Sequence, residues 1–404
     1  MATRREALGG LTAAGLGVCA GGASAAAAVE DVVVPFELTH NRAWTIVKFN
    51  GHGWYKLLID TGADTFSLDD KICKEIGLTR RSSDEIVGAT GAEYMSTYTA
   101  QMVSIANVVT DPNAPVFGLA HRVDEELAGL IPAALLTNVR FDFVQKRMHL
   151  SNKALTGLEG YTVVPYSQTA IGSPGSMARV QMKSPYPNIR AELDGRPVTL
   201  RVDTGAPPMA YLFGSYVDRA GLWDKYKVDH QGTGGGVTSQ TSTVRNVRAQ
   251  SLKVGDVVFD APRIVLQDPK DKGRGDYDLR GETLVDGLIG MESLRRLDFA
   301  IVPNESKLYI RKNAMFNDVQ RINRAGLVVK SVNEKPTAVW VAPGGPAWAA
   351  GIRKGDLIIG YAGGDGTIAG LDWKLSGPPG DQIDLEYSHD GQTKQVSFKL
   401  VEVE

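Results

Sequence analysis

Apolar and polar positions alternate along Trp44-Thr45-Ile46-Val47-Lys48-Phe49, break at Asn50-Gly51 and resume from Trp54 to Ile59, where the apolar run stops on a carboxylate, Asp60. Alternation of period two around an Asn-Gly pair predicts a β-hairpin whose second strand delivers Asp60. Gly62-Ala63-Asp64-Thr65 then makes a tight exit, and Phe66-Ser67-Leu68 resumes a strand. A short helix is predicted from Asp69 to Ile76, with Cys73 as a packing residue. The plan returns downstream, where an Asp194-Gly195 turn precedes the run Leu200-Arg201-Val202, which stops on Asp203-Thr204-Gly205-Ala206.

The recurrence is collinear. Ile76-Gly77-Leu78 matches Ala220-Gly221-Leu222, and Gly88-Ala89-Thr90-Gly91 matches Gly232-Thr233-Gly234. Gly129-Leu130-Ile131 returns as Gly287-Leu288-Ile289, and Phe141-Asp142-Phe143 as Leu297-Asp298-Phe299. The spacing is 203 − 60 = 143 at the aspartates and 232 − 88 = 144 at the glycine turns, so one inserted residue near Pro207-Pro208 accounts for the difference. The later matches lie further apart, which assigns a longer insertion to the second copy. A repeat of this length means two copies of one fold in one chain. Leu130-Ile131-Pro132 to Leu136, and Leu288-Ile289-Gly290 to Leu297, are predicted as strands running into short helices behind the aspartates. Ser167 to Pro187 reads as a linker or substrate-edge loop, and Asp268 to Asp276 as a solvated mixed-charge loop.

A carboxylate at the end of a buried strand is costly unless it is hydrogen-bonded or used. Two such turns facing each other would bring two carboxylates within a few ångströms, where both cannot ionise and one proton is shared. One member can then take a proton from water while the other donates to the carbonyl under attack, which is peptide hydrolysis without a metal or a covalent intermediate. A lone Asp-Thr-Gly is a weak signal, since an Asp often merely caps a turn; its repetition with collinear flanks gives it weight. Asp60 and Asp203 are therefore the candidate catalytic pair, Thr61 and Thr204 brace it by hydrogen bonding, and Gly62 and Gly205 allow the close turn. Gly88 to Gly91, and Gln231 to Gly236 with Gly232 and Gly234, are candidate flap tips over a bound peptide.

With Asp-Thr-Gly-Ala after an apolar strand, a glycine-rich hairpin some thirty residues on and an apolar pair beside Gly, residues 30 to 315 resemble the retropepsin-like aspartic proteases. The resemblance implies a mainly β fold, with two acid-protease β-barrel lobes, 29–160 and 161–315, forming a pseudo-dimer within one chain. It implies no cofactor and no metal, a peptide or protein substrate, and a monomer. It also gives Ala63, Ala206 and Asp64 to the substrate; an acid at position 64 would grip substrate backbone and brace the lobe, or stand as an exposed turn acid. The second copy has Pro207 there, so that grip would be one-sided.

From about Asn317 the character changes. Gly326-Leu327-Val328-Val329 reads as a strand, Pro346-Ala347 starts a short helix, Ala350-Gly351 ends it, and Lys354-Gly355-Asp356 turns into another strand. This resembles the PDZ domains of bacterial envelope proteases, which implies a small α+β domain over 318–404. Such domains add an extended peptide as a strand. Arg324, Gly326 and Leu327 would hold its terminal carboxylate, unless the domain serves only as a packing module or lid.

Composition narrows the class. The chain has 404 residues, 43% hydrophobic and 22% charged, with a net charge of −2, which gives no electrostatic case for nucleic acid or anionic membranes. Arg4-Arg5, a weakly apolar run to Ala28 and Ala23-Ser24-Ala25 read as a twin-arginine export signal over 1–28, implying a periplasmic or secreted protein. Val18 before Cys19 makes a poor lipidation site. No zinc motif, serine elbow or phosphate cradle is present. The rival reading is a catalytically silent envelope protein that uses the cleft and the C-terminal domain to bind peptides.

Overall fold

A computed structural model describes residues 31–122, 126–132, 138–167, 170–171, 182–183, 186–271 and 285–402. The expected export leader over 1–28, the continuation past Pro132 to Leu136, most of Ser167 to Pro187 and the end of the charge run after Asp271 lie outside them. The described chain is mainly β.

Each predicted hairpin forms. Strand Arg42–Phe49 pairs antiparallel with His52–Asp60, and Asn188–Leu193 with Arg196–Val202, with positive φ at Asn50-Gly51 and at Asp194-Gly195. His52–Asp60 then pairs in parallel with Gly129–Pro132, which runs antiparallel to Phe66–Asp69, itself parallel to Val109–Leu119. The second half repeats the order: Arg196–Val202 is parallel to Gly287–Ile289, which is antiparallel to Ala210–Leu212, itself parallel to Arg263–Gln267. The crossing in the middle of each set explains the recurrent Gly-Leu-Ile. A side chain on Gly129 would run into the Ser67 carbonyl, and one on Gly287 into the Tyr211 carbonyl.

The halves share one core. Asn138–Asp142 of the first pairs antiparallel with Leu297–Val302 of the second, with Phe141 opposite Phe299. Their rings lie 4.7 Å apart between centroids, and Phe36 and Phe143 pack around them. Helix Asp70–Glu75 follows the first aspartate loop, capped by the Asp69 carboxylate, and buries Cys73, whose thiol burial pushes up to about 12. Helix Met291–Leu294 follows Gly287–Ile289 directly, as its sequence predicts.

Residues 327–399 form a separate five-stranded antiparallel sheet in the order Leu327–Val332, Lys335–Val341, Leu357–Tyr361, Gln382–His389, Gln392–Lys399. Helices Pro346–Ala349 and Ile368–Leu375 cover it, and its core around Leu327, Val329, Leu371 and Leu375 is distinct from that of the two halves.

Truncating either ring of the shared core, Phe141→Ala or Phe299→Ala, is expected to cost about 3–5 kcal/mol in denaturant unfolding. Val33→Ala, at a position 45% exposed on the same sheet, is expected to cost far less; equal costs would contradict a shared core.

Candidate active site

The two Asp-Thr-Gly turns meet at the junction of the halves. The Thr61 hydroxyl donates to the Val202 carbonyl at 2.8 Å and accepts from the Thr204 amide at 3.0 Å. The Thr204 hydroxyl donates to the Ile59 carbonyl at 2.6 Å and accepts from the Thr61 amide at 3.0 Å. Both threonines are buried, so four backbone groups that water cannot reach are satisfied across the junction rather than within a half.

This exchange sets the carboxylates face to face. A Cβ on Gly62 would lie 2.5 Å from Asp203 Oδ2, and one on Gly205 2.5 Å from the Asp60 carboxyl carbon, so each acid rests against the other loop's glycine. The two side chains hydrogen-bond each other. Asp60 Oδ1 accepts from the Gly62 amide at 2.8 Å, and Asp203 Oδ1 from the amides of Gly205 at 2.8 Å and Ala206 at 3.0 Å. Burial pushes the Asp203 carboxyl above the ordinary carboxylate range, against the pull of its hydrogen bonds and of Arg201.

The glycine-rich hairpins reach across from opposite sides. Thr90 donates its hydroxyl proton to the Gln240 carbonyl at 2.8 Å, Gln240 Nε2 donates to the Ala92 carbonyl at 2.6 Å, and the Ser239 amide donates to Glu93 at 2.7 Å. Gly88 and Gly91 stand at the first tip as predicted, paired with each other. Gly232 and Gly234 instead lie within strand Val228–Gly234, paired with Val244 and Ser242, so the second tip is residues 235–241. The glycine run reads as a turn by composition, while strand pairing carries through most of it.

Each alanine after the Gly closes a small apolar cluster that takes in a residue of the other half. Ala63 packs with Leu58, Leu127, Leu130 and Trp44, and with Val237; Ala206 packs with Tyr211, Phe213 and Leu288, and with Ala89. Asp64 is exposed, as is Pro207, whose carbonyl accepts from Asn41 Nδ2 at 2.9 Å. Residues absent from the sequence reading thus complete the site: Asn41, Val237, Gln240 and Gln267, whose Nε2 donates to Ser242 at 2.8 Å. None carries a local motif; only the fold brings them in.

The three residues expected to hold a peptide carboxylate in the C-terminal unit are engaged within the chain. Arg324 is 4% exposed and donates to the Gln320 and Gly377 carbonyls and to Glu402. Asn323 Oδ1 accepts from the amides of Gly326 at 3.0 Å and Leu327 at 3.4 Å. The unit also touches the second hairpin, where Lys330 donates to the Thr233 carbonyl at 3.2 Å.

Among the described residues, His40, Glu126 and Asp365 bring potential metal-ligand atoms within 4.8 Å of one another. His40 already pairs with Asp365 and Lys56 with Glu126. A cavity of about 460 Å³ is lined by residues including His40, Asn41, Arg321 and Trp373, and neither aspartate borders it.

Residues 45–130 match a family of gag-polyprotein aspartyl proteases, and residues 189–293 match a family described as aspartyl protease. Each match contains one of the two aspartates. No curated protein matches the chain. Solved structures similar to it include the aspartic proteinase from Irpex lacteus, at 12% identity over 72% of this chain and 99% of that one, with a TM-score of 0.42. Basic 7S globulin from soybean is similar at 9% identity over 72% and 98%, with a TM-score of 0.39.

Replacing either threonine by the near-isosteric valine, Thr61→Val or Thr204→Val, is expected to cost about 1–3 kcal/mol for each buried group left unpaired, read by denaturant unfolding. Asp64→Ala is expected to stay within about 0.5 kcal/mol of wild type, as for an exposed residue. A larger loss would give Asp64 the bracing role.

Proposed function

We propose that this chain is a single-chain aspartic endopeptidase. Its two lobes, 29–160 and 161–315, form a pseudo-dimer around one dyad, and a PDZ-like domain over 318–404 regulates access to it. The observation that carries the reading is the reciprocal threonine exchange, which holds a buried carboxyl, Asp60, and a half-buried one, Asp203, in mutual hydrogen-bond contact under crossing hairpins. The aspartyl-protease family matches, one to each half, support the same chemistry.

In this reading a water held between the acids is the nucleophile. One carboxylate takes its proton while the other, protonated, donates to the carbonyl oxygen of the scissile amide; the gem-diol then collapses as a proton passes to the leaving nitrogen. The dyad titrates as a pair, and desolvation of the Asp203 carboxyl holds the shared proton to higher pH, so the alkaline limb of activity lies above the ordinary aspartate range. The apolar clusters around Ala63 and Ala206 supply the walls that take substrate side chains once the hairpins open. The leader over 1–28 directs the protein to the bacterial envelope or beyond.

For the C-terminal domain, regulation is favoured over capture of free C-termini. Asn323 occupies the Gly326 and Leu327 amides, and Lys330 holds the backbone of a hairpin that must move to admit substrate.

Asp60→Asn and Asp203→Asn are each expected to lower cleavage of an unfolded protein by several orders of magnitude, with the fold retained by circular dichroism. Wild-type rates in either variant would overturn the reading, and stoichiometric peptide retention without turnover would favour a binding protein. Peptides of one sequence ending in a free acid or an amide are expected to be cleaved at equal rates, whereas a strong preference for the free acid would restore carboxylate capture.

A further inference from the structure

The cavity of about 460 Å³ lies where the C-terminal unit meets the rest of the chain. Leu38 and Asn41 of the first half, Met315 and Val319 of the segment between them, and Trp373 and Pro378 of the C-terminal unit contribute to its walls. Its volume falls within the range of small-molecule sites, roughly 300–1,000 Å³. Asn41 ties the wall to the loop of Asp203, since its Nδ2 donates to the Pro207 carbonyl at 2.9 Å.

Four ionisable side chains also border the cavity, and three of them are paired within the chain. His40 meets Asp365 at 3.3 Å, and Arg295 meets both Asp318 and Glu292 at 3.0 Å. Arg321 is different. Its guanidinium lies 4.0 Å from the centroid of the Trp373 ring, and its Nη1 donates to the Trp373 carbonyl at 3.5 Å. Among the described residues no carboxylate forms an ion pair with it. Glu292 accepts from the Arg321 amide at 3.1 Å, but its ion pairs are with Arg295 and Arg296. Three guanidinium groups thus share the carboxylates of Glu292 and Asp318, and Arg321 carries the surplus charge. A half-buried cation with no anion in contact is costly to keep out of water. Burial and the like charge of Arg295 disfavour its charged form, against the pull of Glu292, Asp381 and Asp318.

We propose that this cavity binds a small apolar molecule carrying one carboxylate, with the carboxylate on Arg321 and the apolar body against Trp373, Met315, Leu38 and Val319. A carboxylate accepts two parallel N–H bonds from a guanidinium, and an aromatic face beneath the guanidinium leaves its N–H edge for that acceptor. A dianionic phosphate fits less well, because Asp318 borders the same space and Asp381 also acts on Arg321. Neither Asp60 nor Asp203 borders the cavity, so its occupancy does not depend on the peptidase reading.

The test is titration calorimetry of the full chain with 4-phenylbutanoate, with its uncharged amide 4-phenylbutanamide, and with inorganic phosphate. Wild type is expected to bind the acid one to one and the amide roughly ten- to hundredfold more weakly, the worth of a hydrogen bond to a charged group. Arg321→Met keeps an apolar stem and is expected to lose the same factor for the acid while leaving the amide unchanged. Val319→Trp, at a position 50% exposed, is expected to fill the cavity and abolish binding of both, with the fold retained by circular dichroism. If Arg321→Met does not fold, Val319→Trp carries the comparison. Equal binding of acid and amide, or undiminished binding of the acid to either folded variant, overturns the assignment. Phosphate bound as tightly as the acid overturns it too, by making this a plain anion site, as does wild type that binds no acid.

Discussion

Four hydrogen bonds between two threonine hydroxyls and the opposite backbone hold the rest of the structure in place. Two carboxyls in contact repel when both are ionised and are costly to bury when they are not. Their mutual hydrogen bond needs a scaffold that keeps the two loops together. Thr61 and Thr204 do so because each hydroxyl both donates and accepts across the junction, so the loops cannot part without stranding four buried groups.

The junction stands on a wider foundation. Strands Asn138–Asp142 and Leu297–Val302 join the halves edge to edge, and the Phe141–Phe299 contact ties the two apolar faces into one core. Above the dyad the same exchange of parts recurs, with Val237 in the first half's cluster and Ala89 in the second's. The C-terminal unit adds contacts at the periphery, through His40 to Asp365 and through Glu402 to Arg248 and Arg263. Duplication thus supplies the symmetry, and single positions such as Arg201 against Leu58 depart from it.

Much of this was legible in the chain because its signals are local. Asn50-Gly51 and Asp194-Gly195 demand the turns they form, and the Gly-Leu-Ile repeats mark crossings that no side chain can enter. The duplicated Asp-Thr-Gly named the acids and their braces. What escaped depends on partners far away in sequence. Gln240 and Thr90 meet only when two hairpins cross, and Asn41 finds the Pro207 carbonyl only once the halves have docked. Glycines 232 and 234 read as a tip because their composition says turn, whereas pairing with Val244 and Ser242 decides otherwise. Asn323 lies beside the segment assigned to peptide binding, yet composition alone does not say that its side chain will take the amides of Gly326 and Leu327.

The central claim is that both acids of one working site come from the same chain. Mixing Asp60→Asn protein with Asp203→Asn protein tests it directly, because a site built between two chains would regain an intact pair in the mixture. The account predicts that wild type cleaves a test peptide while the mixture stays as silent as either variant alone. Recovery of cleavage on mixing would contradict it.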